Sequence, residues 1–523
     1  MERFLKYFFA QPVLYTATSW TKIEEYSTKK KNFIIERIDE MVLRIPNKEL
    51  NNKYLMRAIR SSYCITNVVI IEKEFTMKEW TNISQAVVDS QSIKQLMIRS
   101  SMLHLDNLPF ISKIFAQNPR IKRLILNGVI VSPTSFEALC SIVSSFVRKL
   151  RFSVMQISSD QIATLRSYLD KSSRSIAIEF DNKEVNAEIC DIIKWKCFSS
   201  FKLVHNLVSD ELIDKFTNAL KTTTTLKSLA MINVDMNMKE FCSAVASNSS
   251  LTSLKLLNCL RSDDQTQNLC QAIEQNPNIT KLSLREFLVS MESSDILDKL
   301  KSSRSLTSLK IALHMYEAYE SLCTVLIDNK TLKSLLLWTM VDKDHVPLSN
   351  LIKSNSTLTR LTLSNLGLIS AQAVRNICNA LKSNRTIRSI SLPMSIYDRY
   401  EELAEVFRTN DSLTHLDISR TNLKVPLSVQ KHFCQALKNN RVLSQFDIYG
   451  EYEPDLKELL EKNRLSQLEN VRKTTMLINM IVLRKEQFFA IFPLEIWLMI
   501  LADITFPGVI INFAERLLHY VQG

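Results

Sequence analysis

The residues that most often carry phosphate or cofactor chemistry are few and scattered in this chain. Only five glycines occur in 523 residues, at positions 128, 367, 450, 508 and 523. Phosphate-cradling loops and dinucleotide-binding turns need several glycines at fixed spacing. The sequence therefore excludes P-loop NTPases, Rossmann dehydrogenases and kinases.

Cysteine and histidine show no metal-site spacing either. The ten cysteines form no CxxC pair, and the seven histidines form neither HxxxH nor HExxH. A zinc site needs such clustered ligands. No nucleophile–base or paired acid–base constellation clusters in the sequence. We therefore predict that the protein is not an enzyme and binds no metal or cofactor, with cysteines that act as buried hydrophobes in a reducing compartment.

An internal repeat in the sequence predicts the strands and helices on which candidate binding residues would lie. The pattern L-x-x-L-x-L starts at Leu251, Ile279, Leu306, Leu332 and Leu358, and looser copies lie on both sides. The full series of starts is 65, 93, 121, 147, 173, 198, 226, 251, 279, 306, 332, 358, 387, 413 and 443. These starts are 25 to 30 residues apart. A period of this length indicates stacked strand–helix units that share one continuous core.

A second pattern marks the end of each helix. Asparagine occurs three residues before many strand starts, at Asn118, Asn248, Asn276, Asn329, Asn355, Asn384, Asn410 and Asn440. Asparagine tolerates positive φ better than other non-glycine residues. We therefore predict that these asparagines are left-handed helix C-caps, the place where glycine is usual.

Period, strand pattern and helix-end pattern together resemble the leucine-rich repeat family, in its long, ribonuclease-inhibitor-like form. The resemblance implies an α/β solenoid shaped as a horseshoe, with parallel strands on the concave face and helices on the convex face. One departure is the family's Asn or Cys at the ninth repeat position, which is mostly absent here, although Cys259 matches it. Because the ends of a solenoid need covers, we predict a helical N-terminal cap over 1–64, about 15 repeats over 65–462, and a helical C-terminal segment over 463–523.

Basic residues recur at the strand positions that should face the concave side. Side chains alternate along a strand, so the third, fifth and seventh positions of the pattern point outward from the core. The basic residues there are Arg99, Arg123, Lys149, Arg151, Lys202, Lys255, Lys281, Arg285, Lys310 and Arg360. Glu179 lies among them, Asp417 and Asp447 lie beyond them, and Leu336 and Trp338 form an apolar spot between the two groups.

Two interpretations of this basic surface stay open. The charges either solvate an exposed sheet, or bind an acidic protein partner with Trp338 as an aromatic anchor. The overall charge of +12 is a mild bias for this length. Nucleic acid is disfavoured as a partner, because no aromatic residues for base stacking alternate with the basic ones.

The repeat period stops after Asn463, and a different motif follows at 491–504. The sequence FPLEIWLMILADI from Phe492 resembles the opening of an F-box, L-P-x-E-I-x-x-x-I-L. The resemblance implies docking to the Skp-type adaptor of a cullin–RING ubiquitin ligase through Pro493, Leu494, Glu495, Ile496, Ile500 and Leu501. The later Cys–Lys/Arg–Trp part of an F-box is missing. The alternative is a plain C-terminal cap whose helix packs inward.

These patterns predict a recognition protein that binds a partner protein on its concave face and serves as substrate receptor of an SCF-type ubiquitin ligase. The alternative is a scaffold, a sensor or a secreted bacterial effector without a ligase link. No 18-residue uncharged apolar run and no clean signal-cleavage site occur. We therefore expect no membrane partner and a cytoplasmic location, which is the host cytosol for a secreted effector.

Overall fold

The structure is a computed structural model, and the features given below belong to the residues that it describes. These are 34–36, 41–45, 60, 65–71, 76–99, 102–103, 105–153, 157–172, 176–181, 192–204, 210–234, 237–260, 262–285, 303–313, 316–339, 345–365, 370–392, 400–419, 424–449 and 452–483.

One 17-stranded sheet runs through the described part of the molecule. Its strands are β1 (Ile34–Glu36), β2 (Met41–Ile45), β3 (Ile65–Ile71), β4 (Gln95–Arg99), β6 (Arg123–Asn127), β8 (Lys149–Ser153), β9 (Ile176–Asp181), β10 (Phe198–Val204), β11 (Ser228–Ile232), β12 (Ser253–Leu257), β13 (Lys281–Arg285), β14 (Ser308–Leu313), β15 (Ser334–Thr339), β16 (Arg360–Asn365), β17 (Ser389–Ser391), β18 (His415–Asp417) and β19 (Gln445–Asp447). Consecutive members pair in parallel from β2 to β19, and β1 pairs antiparallel with β2. Two short strands, β5 (Met102–Leu103) and β7 (Ile130–Val131), form a separate parallel pair.

A helix follows most of the strands and crosses back to the start of the next one. The helices are α1 (Met77–Asp89), α2 (Leu108–Gln117), α3 (Pro133–Phe146), α4 (Ser159–Asp170), α5 (Asp210–Thr222), α6 (Met238–Ser247), α7 (Asp263–Gln275), α8 (Tyr316–Ile327), α9 (Val346–Ser354), α10 (Ala371–Ser383), α11 (Tyr400–Thr409), α12 (Leu427–Leu437) and α13 (Pro454–Leu483). No described helix is both long and apolar enough to cross a bilayer.

Alternating burial along each strand separates the core from the open face. In β12, Leu254 and Leu256 are buried against the helices, whereas Ser253, Lys255 and Leu257 lie on the other side of the sheet. Neighbouring strands are about 4.8 Å apart and packed helices about 8–10 Å apart, so a stack of such units curves with its strands inside. The predicted fold class, a leucine-rich repeat solenoid with a parallel sheet on the concave face, is confirmed.

The helix-end asparagines are not left-handed caps, and that prediction is wrong. Asn248, Asn276 and Asn384 end their helices with φ of −75°, −97° and −73°. Each side chain is buried and donates from Nδ2 to a carbonyl of the preceding repeat, as Asn276 does to Val245 O at 2.7 Å and Asn248 O at 2.8 Å. A buried backbone carbonyl needs a hydrogen-bond partner, and this amide supplies it.

These asparagines form a ladder that joins the repeats that contain them to the repeat before. Equivalent Nδ2 bonds are made by Asn118, Asn248, Asn355, Asn384, Asn410, Asn440 and Asn463. Left-handed backbone occurs instead just after the strands, at Gly128, Asn233 and Asn258.

Both ends of the solenoid differ from the predicted layout. Within 1–64, where a helical cap is expected, β1 and β2 extend the sheet by two strands, so the helical prediction is wrong at these residues. Strand pairing at this edge satisfies backbone groups that an open edge would leave unpaired. At the other end, the predicted boundary at 462/463 falls inside α13, a single 30-residue helix.

Candidate functional site

Strands of five or more residues present three outward side chains, and the three-residue strands β17, β18 and β19 present two. These side chains align across the sheet into three rows. The central row, from β8 to β19, consists of Arg151, Glu179, Lys202, Ala230, Lys255, Ser283, Lys310, Leu336, Thr362, Ser391, Asp417 and Asp447. The leading row, from β6 to β19, consists of Arg123, Lys149, Ala177, Ser200, Ser228, Ser253, Lys281, Ser308, Ser334, Arg360, Ser389, His415 and Gln445. The trailing row is formed by the last outward residue of the strands that present three, for example Asn127, Ser153 and Leu257.

The predicted partner-binding residues are distributed over these three rows. Four of them lie in the central row, namely Arg151, Lys202, Lys255 and Lys310. Three lie in the leading row, namely Arg123, Lys281 and Arg360, and three in the trailing row, namely Arg99, Arg285 and Trp338. Arg285 is assigned to the trailing row by the position of its backbone at the end of β13.

The structure brings a compact cationic cluster together around Glu179. The carboxylate of Glu179 is 3.1 Å from Arg123 Nη2, 2.5 Å from Lys149 Nζ and 3.9 Å from Arg151 Nε. Its side chain is only 8% exposed, whereas those of Arg123, Lys149 and Arg151 are 27%, 39% and 25% exposed. One buried carboxylate therefore orders three cations whose outer surfaces remain open to solvent.

The field of the cluster shifts the ionisation of its members. Burial raises the pKa of Glu179, but the hydrogen bond and charge of Lys149, with the charges of Arg123 and Lys202, outweigh burial and hold this pKa below its ordinary value. Burial lowers the pKa of Lys202, Glu179 opposes that effect, and the cations Arg151, Lys255 and Lys149 lower it further. Positive charge thus exceeds negative charge here, which favours the approach of an anion.

The apolar spot lies farther along the sheet, on β15. Leu336 and Trp338 face outward from this strand and are half-buried. Trp338 has Ala312 and Ser364 as its neighbours on the adjacent strands. Ala312 is only 3% exposed. An indole at the surface of the sheet combines a large apolar area with an N–H donor, which suits an aromatic anchor.

An acidic and polar group, which sequence reasoning largely missed, occupies the far end of the open face. His415 Nε2 is 2.9 Å from Asp447 Oδ2, and Ser389 Oγ is 3.2 Å from His415 Nδ1. Ser391 Oγ donates to Asp417 Oδ2 at 2.8 Å. The sequence did contain a signal for this group. His415 stands two residues before Asp417, and this spacing places both side chains on the same face of a strand.

Serine, imidazole and carboxylate in line are the groups that serine hydrolases use. Such enzymes also need free backbone N–H groups beside the serine to stabilise an oxyanion. The N–H of Ser389 donates to Thr359 O at 3.0 Å and that of Leu392 donates to Asp417 O at 2.9 Å. Two nearby backbone donors are thus engaged in the sheet and are not available to an oxyanion at this serine.

Thiol and metal chemistry find little support among the described residues. Cys242, Cys270, Cys323 and Cys378 are buried, and burial raises the pKa of Cys242 and Cys378 to about 12. A thiol with so high a pKa is a poor nucleophile. In the described part of the chain, no three His, Cys, Asp or Glu side chains are grouped to hold a metal ion.

The predicted adaptor-binding residues lie outside the described residues. They are Pro493, Leu494, Glu495, Ile496, Ile500 and Leu501, all beyond the end of α13 at Leu483.

The sequence matches no protein-family model and no curated protein. Among solved structures, the complex of Rad7 and Elc1 in yeast is similar at 15% identity, with 83% of this chain and 93% of that chain covered and a TM-score of 0.39. The TLR13–ssRNA13 complex is similar at 14% identity over 80% of this chain and 58% of that chain, with a TM-score of 0.33. Leiomodin-1 actin-binding site 2 is similar at 16% identity over 37% of this chain and 99% of that chain, with a TM-score of 0.25. Resemblance at this level carries no functional argument, and the fold assignment depends on the strand order and register given above.

Proposed function

We propose that this protein is a non-enzymatic recognition module that binds an acidic region of a partner protein on its concave sheet. The observation that carries the proposal is the cationic cluster of Arg123, Lys149 and Arg151 around the buried Glu179, with Lys202 opposite Glu179 on the next strand. Lys255, Lys281 and Lys310 continue the positive charge along the same face. Solenoids offer a long curved surface for this kind of binding.

The physical state of these cations supports binding better than solvation alone. A lysine that only solvates the sheet would extend into water, whereas Lys202 and Lys255 are half-buried and Lys202 has a lowered pKa. An incoming carboxylate relieves the repulsion among the cations and stabilises the charged form of Lys202. Charge complementarity of this kind raises the association rate and orients the partner.

Charge reversal on the inner face should weaken this binding. The variant Lys255→Glu, Lys281→Glu, Lys310→Glu is expected to bind a fluorescein-labelled glutamate-rich peptide at least tenfold more weakly, a loss of about 1.4 kcal/mol or more. Fluorescence anisotropy at two salt concentrations measures this, and the salt dependence should shrink in the variant because fewer opposite charges meet.

A matched control is available on the helices. Lys239, Lys353 and Lys431 are exposed on α6, α9 and α12, and their reversal to glutamate changes the net charge by the same amount. This variant should retain most of the affinity. Equal loss in the two triple variants would mean that overall charge, and not the inner face, binds the peptide.

The proposal extends to ubiquitin ligation through the segment at 491–504. Its Pro493, Glu495, Ile496, Ile500 and Leu501 match the F-box pattern, and an amphipathic helix with this apolar face suits the groove of a Skp-type adaptor. The protein would then be a substrate receptor that couples the bound partner to a cullin–RING ligase. The competing function is a scaffold, sensor or effector in which this segment only covers the solenoid.

Adaptor binding separates these two functions. Full-length protein is expected to co-precipitate a purified Skp-type adaptor, and Pro493→Ala with Ile500→Asp should remove this interaction while the far-UV circular dichroism spectrum stays unchanged. The control Pro454→Ala with Leu465→Asp makes the same two kinds of substitution at exposed positions of α13. Failure of the unmodified protein to bind the adaptor would leave the cap as the role of this segment.

A further inference from the structure

Cations occupy every second strand in one stretch of the central row. Arg151, Lys202, Lys255 and Lys310 lie on β8, β10, β12 and β14. The intervening strands place Glu179, Ala230 and Ser283 in the same row. The row therefore alternates a long cation with an acidic or small residue over seven consecutive strands.

This alternation sets a length scale. Strands lie about 4.8 Å apart, so cations on alternate strands repeat about every 9–10 Å along the sheet. A polypeptide in the extended polyproline II conformation advances about 3.1 Å per residue with three residues per turn, so every third side chain lies on the same side, about 9 Å from the one before. Acidic side chains at every third residue of such a chain all face the sheet and come into register with successive cations.

The leading row beside these cations suits an exposed backbone. Between Lys149 and Arg360 it contains Ser200, Ser228, Ser253, Ser308 and Ser334, all half-buried. Their hydroxyls can donate to carbonyls and accept from N–H groups of a bound chain. An extended chain has such groups to offer, whereas a helix has already paired its own.

We propose that the partner segment is a polypeptide in the extended polyproline II conformation that crosses β8 to β14 with an acidic side chain at every third residue, four in all. The inference deepens the proposed function and depends on it. The first acidic side chain meets Arg151, where Arg123 and Lys149 add to the positive charge, and the next three meet Lys202, Lys255 and Lys310. Ala230 and Ser283 leave room for the intervening residues of the segment.

Peptide isomers test the spacing apart from the charge. Three fluorescein-labelled peptides of thirteen residues share one composition, with four glutamates among serines and alanines. The glutamates occur at every third position, at every second position, or as one block. Anisotropy titration of the full-length protein should give the every-third isomer the highest affinity, by about tenfold over the block, because all four charges are then paired at once.

Moving one cation by one strand provides the reciprocal test. In the variant Ala230→Lys, Lys255→Ala, the charge is unchanged, but cations on β10 and β11 become neighbours. The variant should lose about tenfold in affinity for the every-third peptide and lose less for the block isomer, since its charges are adjacent. Ala230 faces outward and is half-buried, so the longer side chain can extend into solvent.

The outcomes distinguish this inference from the function it depends on. Equal affinities for the three isomers overturn the spacing and leave an acidic partner in place. Absence of binding by every isomer overturns both. Tighter binding of a helical peptide with heptad-spaced glutamates, or of a thymidine oligonucleotide, also overturns the inference and identifies a helix or a nucleic acid as the better occupant.

Discussion

Replacement of Asn410 by leucine is expected to lower the free energy of unfolding by about 3–5 kcal/mol. Nδ2 of Asn410 donates to Leu381 O at 2.6 Å and Asn384 O at 3.0 Å, and Oδ1 accepts from Ser412 N and Leu413 N at 2.9 and 2.7 Å. The residue is 4% exposed. Leucine has a similar volume but leaves two carbonyls and two N–H groups buried without these partners.

Chemical denaturation followed by circular dichroism measures the global effect, and hydrogen exchange of the amides in β17 and β18 measures the local one. Asn218, exposed on α5, gives the control Asn218→Leu, which should change stability by about 0.5 kcal/mol or less. An unfolding midpoint for Asn410→Leu that equals that of the unmodified protein would show that the ladder does not stabilise the stack.

The second large effect is expected at Glu179. The variant Glu179→Gln should lose about 2–3 kcal/mol of stability at neutral pH, because three cations then face one another without their shared counter-ion. The figure is at the low end for a buried pair, since the cations themselves are partly exposed to water. Denaturant unfolding at neutral pH measures it, and Glu320→Gln on the exposed face of α8 is the control.

The pH dependence gives this prediction a second, independent readout. The pKa of Glu179 is lowered in the folded state, so its stabilisation is present above the ordinary glutamate range and is lost as pH falls through the folded pKa. The stability curves of the unmodified protein and Glu179→Gln should therefore converge in acid. Adding Arg151→Gln to Glu179→Gln should recover part of the lost stability at neutral pH, because one of the unpaired cations is removed. If the stability curves of Glu179→Gln and the unmodified protein stayed apart in acid, the effect would come from packing and not from charge.

Much of the fold is readable from the sequence because the repeat has two periods at once. Residues such as Leu254 and Leu256 alternate with period two, and the whole unit recurs about every 27 residues, so strands and their outward positions follow directly. The early strand β2 was missed because Met41–Ile45 keeps only an apolar outline and stands before the series of starts. Its strand conformation depends on pairing with β3, a non-local interaction, and not on a strong strand pattern in its own sequence.

The ladder was misread for a different reason. The spacing of the asparagines correctly indicated the ends of helices. The same sequence pattern is expected for two arrangements, a left-handed cap with its side chain turned outward and a side chain turned inward to the neighbouring repeat. Only the placement of Asn276 beside the carbonyls of Val245 and Asn248 separates the two. Backbone φ, not residue type, decides such cases.

The candidate site was predictable in outline and not in detail. Alternation along the strands places Lys255 and Lys310 on the open face. The convergence of Arg123, Lys149 and Arg151 on Glu179 depends on side-chain reach across three strands, which no linear pattern records. The pairing of His415 with Asp447 is likewise a contact between neighbouring repeats.

The ladder also has a consequence for carbohydrate modification. Asn248, Asn355, Asn384 and Asn410 each begin an Asn-x-Ser/Thr sequon, the acceptor sequence for N-linked glycans. In the folded protein each of these amide nitrogens is bonded to a carbonyl of the neighbouring repeat and is buried. A sugar attached there would occupy the space between two repeats, so glycosylation at these four positions and closure of the stack are mutually exclusive.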